Sequence, residues 1–311
     1  MVGEYREIPK VIHYCWFGGN PLPDDAKRCI ESWRKYCPGF EIKQWNENNF
    51  DLTSCDYVNE AYKAKKWAFV SDYARFWILY NYGGLYFDTD VELIKPIDNI
   101  IADGPFMGRE ATQYDSYKRK IEQQIFNQLY SLKILNKEKS VHTEPVVQQY
   151  ALNPGLGVGA YPHMKFYRQL LDLYKTQHFV LTDKTFSPIT VVDYTTTLAK
   201  GYGVQGSINV QQALNVDGEK INIYPTDIFC PMNYDTGKIT LTPNTVSIHH
   251  YSASWLTSAQ KAERVIKKFS ANYGLNYRIE RALTLPIRVV GKVQSLGVRE
   301  TFKFVVHKFN K

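Results

Sequence analysis

Cysteine is scarce in this chain and is not spaced for paired chemistry. The five residues, Cys15, Cys29, Cys37, Cys55 and Cys230, are odd in number and contain no Cys-x-x-Cys pair. With no apolar leader at the N-terminus, that pattern predicts a reduced, cytoplasmic protein. Long hydrophobic runs are missing too. The best candidate, Phe76 to Phe87, is interrupted by Asn81, Gly83 and Gly84, so no membrane-spanning helix is expected. Neither a Gly-x-Gly-x-x-Gly run after the first strand nor a Walker lysine occurs, which weakens dinucleotide and ATP-loop readings. No Ser-His-Asp order, activated-cysteine signature, internal repeat or low-complexity tract stands out.

What is present is an ordinary globular composition with one exception. The 311 residues are 44% apolar and 22% charged, which argues against disorder. The exception is 23 Tyr, 16 Phe and 6 Trp, a supply of rings that suits sugar faces and bases but equally fills cores. The net charge of +7 is unevenly placed. Thr257 to Lys311 holds twelve Lys/Arg and three Glu, while residues 1–256 hold 26 Lys/Arg against 28 Asp/Glu. The body is near neutral and the tail is basic, with no recognisable nucleic-acid module, so no nucleic-acid partner is expected.

Ile8 to Gly19 (IPKVIHYCWFGG) reads as a buried strand and turn, followed by a helix in AKRCIESWRKYC and a strand over Phe40 to Trp45. This βαβ opening favours an α/β fold. The spacing predicts one long helix over Ala61 to Tyr82, stopped by Gly83-Gly84, then a strand over Leu85 to Leu93. A short strand is expected at Phe106-Met107. Residues 114–150 look like a polar insertion lying over the site, and Asn153 to Ala160 (NPGLGVGA) looks like a glycine-rich loop. A helix over His163 to Lys175 and strands at Ile221 to Tyr224 and Val246 to His250 complete the pattern.

The chemistry concentrates in Lys66 to Leu93. On an extended strand Asp88 and Asp90 share a face with Tyr86, with their Cα atoms roughly 7 Å apart. Both carboxylates can then meet one Mg²⁺ or Mn²⁺ that also binds diphosphate oxygens. Asp72 and Arg75, at i, i+3, form either a helix-surface ion pair or a pair aimed at a sugar donor. Trp16 follows the first strand and either stacks on a nucleobase or fills the core. Of His249 and His250, adjacent in a strand, at most one reaches a cation held by the aspartates.

Together IPKVIHYCWFGG, AFVSDYARFWILYNYGGLYFDTD and SIHHYSASW resemble glycosyltransferase family 32, the sugar transferases with a DXD motif. The central segment is also similar to the glucosyltransferase domain of the large clostridial toxins. The resemblance implies a GT-A fold: a Rossmann-like mixed sheet flanked by helices, with a nucleotide-binding half near residues 1–110 and an acceptor-side half at 111–256. Residues 257–311 then form a basic helical extension. It implies retaining transfer with Mn²⁺ (or Mg²⁺) as cofactor, with Asp88 and Asp90 on the metal and diphosphate and Asp72 and Arg75 on the donor sugar. Tyr86 lies beside the donor, Trp16 stacks on uracil, His249 completes the metal set, and Ser254 and Trp255 close over the diphosphate. The expected reaction moves a hexose from a nucleotide sugar, a UDP-sugar first, to a saccharide or lipid-linked oligosaccharide in capsular or exopolysaccharide synthesis. With no carboxylate identifying itself as a nucleophile, front-face substitution is expected. A GDP-mannose-dependent mannosyltransferase and a catalytically idle carbohydrate-binding protein are the alternatives. The basic tail predicts either packed helices or a peripheral contact with an anionic membrane surface.

Overall fold

The computed structural model describes residues 6–112, 114–137, 149–252 and 256–296. The chain opens as β1 (Val11–Cys15), α1 (Asp24–Tyr36) and β2 (Glu41–Trp45), with β2 parallel to β1 in the register Val11 opposite Glu41. Asp24 and Asp25 in the first turn of α1, and Arg34 and Lys35 in the last, suit its dipole. Its apolar face buries Ala26, Cys29, Ile30 and Trp33.

Two helices replace the single one expected over Ala61 to Tyr82: α2 (Asp56–Lys63) and α3 (Trp67–Tyr82). Lys65 takes a positive φ of 56°, and the Lys66 N–H closes the break onto the Ala61 carbonyl at 2.9 Å. Apolar spacing runs through both helices, and a lysine carries no signal for a left-handed turn, so periodicity hides the break. Gly83 then ends α3 at φ 64°, a conformation cheap only for glycine.

The strand expected over Leu85 to Leu93 is also corrected. It is β3 (Gly84–Tyr86), a turn through Thr89 and Asp90, and β4 (Val91–Leu93). β3 lies parallel to β1, whereas β4 pairs antiparallel with β10 (Ser247–His249), as described below. The Val91 N–H reaches the Asp88 carbonyl at 3.1 Å, closing the turn. α1 holds β4 off the main sheet: the Trp33 indole N–H donates to the Val91 carbonyl (2.7 Å), and Ser32 Oγ accepts from the Leu93 N–H (2.9 Å).

α4 (Asp98–Ala102), β5 (Phe106–Ala111) and α5 (Ser116–Ser131) follow. Then come β6 (Tyr150–Leu152), β7 (Val158–Ala160), α6 (Lys165–Tyr174) and α7 (Val191–Gly201). β8 (Gln212–Val216), β9 (Glu219–Tyr224) and α8 (Thr226–Phe229) lead to β10. α5 is more than an overlying insertion: it buries Ile121, Ile125, Phe126 and Leu129 in the main core. Ion pairs Lys118–Asp193 and Lys200–Glu122, each 2.6 Å, tie it to α7. The glycine-rich loop likewise contains β7, which pairs with β3 on one side and β5 on the other.

The main sheet runs β2-β1-β3-β7-β5-β9-β8, with β6 beside β5. β7 is antiparallel to both β3 and β5, and β9 is parallel to β5, so β1, β3, β5 and β9 point the same way. This is the α/β class expected, a mixed sheet flanked by helices. The carboxyl ends of those strands share one edge, the side on which such sheets bind ligands.

The chain divides into two compact units. One runs to Pro231 and includes Thr240–His250; the other joins Met232–Ile239 to the residues from Tyr251 onward. The second contains α9 (Ser258–Tyr273) and α10 (Tyr277–Leu296), a basic helical hairpin. A capping box of Thr257 and Gln260 starts α9.

Candidate active site

The site is built where α3 passes behind β3. Arg75 is buried on α3, and its guanidinium meets both carboxylates and the helix backbone. Nη2 lies 3.0 Å from Asp72 Oδ1 and 3.3 Å from Asp88 Oδ1, Nη1 lies 3.4 Å from Asp88 Oδ2, and Nε donates to the Ser71 carbonyl at 3.2 Å. The Asp72–Arg75 pair is therefore no helix-surface ion pair. Burial works against the guanidinium charge, but Asp88 above all, with Tyr86 and Asp72, outweighs it and keeps Arg75 firmly protonated. Burial pushes Asp72 up to about 7; Arg75 opposes that and the Asp88 charge adds to it. Tyr86, at the end of β3, lies under the guanidinium (4.9 Å to the ring centre) and its hydroxyl donates to Asp88 Oδ1 at 3.1 Å.

The turn after β3 then presents Asp88 and Asp90, and the β4–β10 ribbon supplies the third group. His249 pairs with Val91, which sets its Nε2 3.1 Å from Asp90 Oδ1. His250 faces elsewhere, with its ring nitrogen 2.8 Å from Glu92 Oε2, while its N–H donates to the Asp90 carbonyl at 2.9 Å. Ligand atoms of Asp88, Asp90 and His249 all lie within 4.8 Å of one another. Burial opposes a charge on His249, but Asp90 first and Asp88 next raise its pKa. Two carboxylates and an imidazole fit a divalent ion, and the nitrogen suits Mn²⁺ better than Mg²⁺, which prefers oxygen alone.

Beneath Asp88 lies a support that the sequence pattern did not reveal. The Asp88 N–H donates to the Gly155 carbonyl at 3.0 Å, and a Cβ on Gly155 would stand 2.0 Å from Asp88 Oδ2. Asn153 Oδ1 accepts from the Gly155 N–H, and its Nδ2 donates to Glu110 Oε2, both at 2.8 Å. Asn153 thus braces the loop under Asp88. Glu110 belongs to the carboxyl end of β5, on the same edge as Asp88, and its charge is felt at His249. Its one sequence signal was a position just past Phe106-Met107.

Trp16 follows β1 on that edge, half-buried, with its indole N–H donating to the Asn20 carbonyl at 2.6 Å. Ser254 and Trp255 lie outside the described residues. Cys15, whose thiol interacts with Arg75 and Tyr86, is pushed up to about 12 by burial and is no nucleophile near neutral pH.

Residues 23–107 match the family described as "glycosyltransferase sugar-binding region containing DXD motif". That segment contains Asp72, Arg75, Tyr86, Asp88 and Asp90, whereas Trp16, Glu110, Asn153 and His249 fall outside it. Among curated relatives, the chain is 31% identical over 116 residues to inositol phosphoceramide mannosyltransferase 1 of Schizosaccharomyces pombe, covering 34% of this chain and 35% of that protein. It is 30% identical over 108 residues to the uncharacterized glycosyltransferase L373 of Acanthamoeba polyphaga mimivirus, covering 32% and 42%. The alignments thus span well under half the length of these relatives. Among solved structures it is similar to the PaToxG glycosyltransferase, at 14% identity and a TM-score of 0.37 over 62% of this chain and 70% of that one.

Proposed function

We propose that this protein is a metal-dependent, retaining glycosyltransferase of GT-A type. It would move a hexosyl group from a nucleotide diphosphate sugar, a UDP-sugar first, to a saccharide or lipid-linked oligosaccharide acceptor. The observation that supports this most is the convergence of Asp72, Arg75 and Asp88 with Asp90 and His249 at the carboxyl edge of the sheet. Much of that cluster lies in the segment matching the sugar-binding family. Carboxylates alone would repel a diphosphate. A divalent cation held by Asp88, Asp90 and His249 would supply the charge that stabilises the leaving group.

The chain's own residues have separable tasks in this reading. Arg75 holds Asp72 and Asp88 in place through its ion pairs with both. Tyr86 fixes the Asp88 carboxylate, and Asp72 takes a sugar hydroxyl. Trp16 stacks on the base. The acceptor hydroxyl bonds to the anomeric carbon as the bond to the phosphate oxygen breaks, and its proton passes to that phosphate oxygen on the same face. Asp72 is paired with Arg75 and Glu110 with Asn153, so neither is placed as a free nucleophile. Mass spectrometry of protein incubated with donor should find no covalent glycosyl-enzyme; a trapped adduct would replace this route by double displacement.

A GDP-mannose donor is the second reading, favoured by the mannosyltransferase named among the relatives. Thermal-shift screening of UDP- and GDP-sugars with Mn²⁺ separates the two, because a ligand bound only by the native state raises Tm. Metal-dependent hydrolysis of the stabilising donor should follow. A protein that binds sugars but hydrolyses no donor, with or without Asp88→Asn, would be an idle carbohydrate binder. A role in capsular or exopolysaccharide synthesis at the cytoplasmic face belongs to the same proposal.

A further inference from the structure

One face of α9 is turned towards the segment Met232–Ile239, which belongs to the same unit. Residues four apart lie one above another on a helix, so Arg264, Lys268 and Asn272 share that face. Their contacts agree. The Arg264 guanidinium lies 4.7 Å above the centre of the Tyr234 ring, a Cβ on Gly237 would stand 3.1 Å from Lys268 Nζ, and Asn272 Nδ2 donates to the Thr236 carbonyl at 2.9 Å. Arg264 Nη1 donates to the Tyr251 carbonyl, and the Tyr251 ring meets Tyr234 edge-on, with ring centres 5.1 Å apart. The other two guanidinium nitrogens, Nε and Nη2, are buried and have no hydrogen-bond partner among the described residues.

Nε and Nη2 form the edge of a guanidinium that grips two oxygens of one carboxylate or phosphate in parallel. No carboxylate among the described residues forms an ion pair with Arg264 or Lys268. Glu263, beside them on α9, is held by Lys267 at 3.1 Å and Arg288 at 2.7 Å. Two cations one turn apart repel each other, and like charges at this spacing destabilise a helix. Lys268 feels this: burial first and the Arg264 charge next hold its pKa below the ordinary value. Buried donors left without partners are costly in their own right. An oxyanion relieves both strains, since two of its oxygens can take Nε and Nη2 side by side while Lys268 balances further charge. Two cations favour a dianion, which selects phosphate over carboxylate. We propose that the Arg264–Lys268 face of α9 is a binding site for a phosphoryl group, as the free anion or as part of a diphosphate. The site is independent of the transfer reading, because Asp88, Asp90 and His249 take no part in it.

Titration calorimetry of the full chain with sodium pyrophosphate in EDTA tests this, because without a metal the aspartates of the transfer site repel the anion. Wild type should bind the anion. Lys268→Gln should weaken binding about tenfold or more, the usual loss with a hydrogen bond to a charged group. Arg264→Lys, which keeps the charge but not the paired donors, should weaken it by about the same factor. Both variants should keep the wild-type far-ultraviolet spectrum and the Mn²⁺-dependent thermal shift with donor. UDP titrated in the same way separates the sources: binding that Lys268→Gln weakens assigns the site to a diphosphate ester, and binding of pyrophosphate alone assigns it to the free anion. Absence of pyrophosphate binding by wild type, with the thermal shift intact, sinks the phosphoryl site alone. Equal affinity in wild type and both variants overturns it by placing the anion elsewhere. Pyrophosphate binding without any thermal shift would count against the transfer reading and leave this site standing.

Discussion

Asp88 is held by Arg75, Tyr86 and the Gly155 backbone. Arg75 and Tyr86 fix its carboxylate, the Gly155 carbonyl fixes its N–H, and Gly155 leaves no room for a methyl group beneath Oδ2. Gly155→Ala therefore forces the carboxylate to swing away. Mn²⁺ affinity, measured by titration calorimetry, should fall about 10- to 100-fold, the usual cost of disturbing a residue behind a metal ligand. Asn153→Ala should act in the same direction through the loop, and Glu110→Gln more weakly. Unchanged Mn²⁺ affinity in Gly155→Ala would remove Asp88 from the metal set. Asp90→Asn tests the ligands directly: donor hydrolysis should drop by about 100-fold or more, as when a group stabilising transition-state charge is lost.

At the scale of elements, β1 carries a buried titratable group between its two parallel neighbours. His13 is paired with Lys43 on β2 and Tyr86 on β3, and its Nδ1 accepts from the Trp45 indole N–H at 3.1 Å. Burial, helped by the Lys43 charge, lowers its pKa to about 4. The unfolded chain takes up this proton near the ordinary value of 6.5, the folded chain only near 4. The stabilisation is thus complete above about pH 6.5 and fades as pH falls towards 4, by about 3 kcal/mol in all. Urea midpoints across that range should decline in wild type and decline less in His13→Gln, which keeps an acceptor for Trp45. Parallel slopes in the two proteins would place the acid sensitivity elsewhere.

The same elements show what the sequence could disclose. Strong local signals survived: the βαβ opening and the Gly83 stop. Breaks set by long-range contacts did not. Lys65 gives no propensity cue for its left-handed turn, and the apolar run Leu85 to Leu93 conceals a change of sheet imposed by Trp33 and Ser32 of α1. β7 reads as a loop because its glycines break strand alternation, though it sits mid-sheet. Glu110 stayed hidden because its relation to Asp88 runs through Asn153 and Gly155, far away in sequence.

For the whole molecule, the two units differ in how much they bury. The first has a core spanning Cys15 to Ile223 with α3, α6 and α7 packed on the sheet, whereas among the described residues of α9 and α10 only Ser270 and Thr284 are buried. Two helices with so little enclosed apolar surface are marginal in water, and such regions open locally at low free energy. Native-state hydrogen exchange should accordingly protect α3 amides up to the global unfolding free energy, while α9 and α10 amides exchange by local opening at least about 100-fold faster. If the α9–α10 amides were instead as slow as those of α3 in solution, the hairpin would be part of the cooperative core.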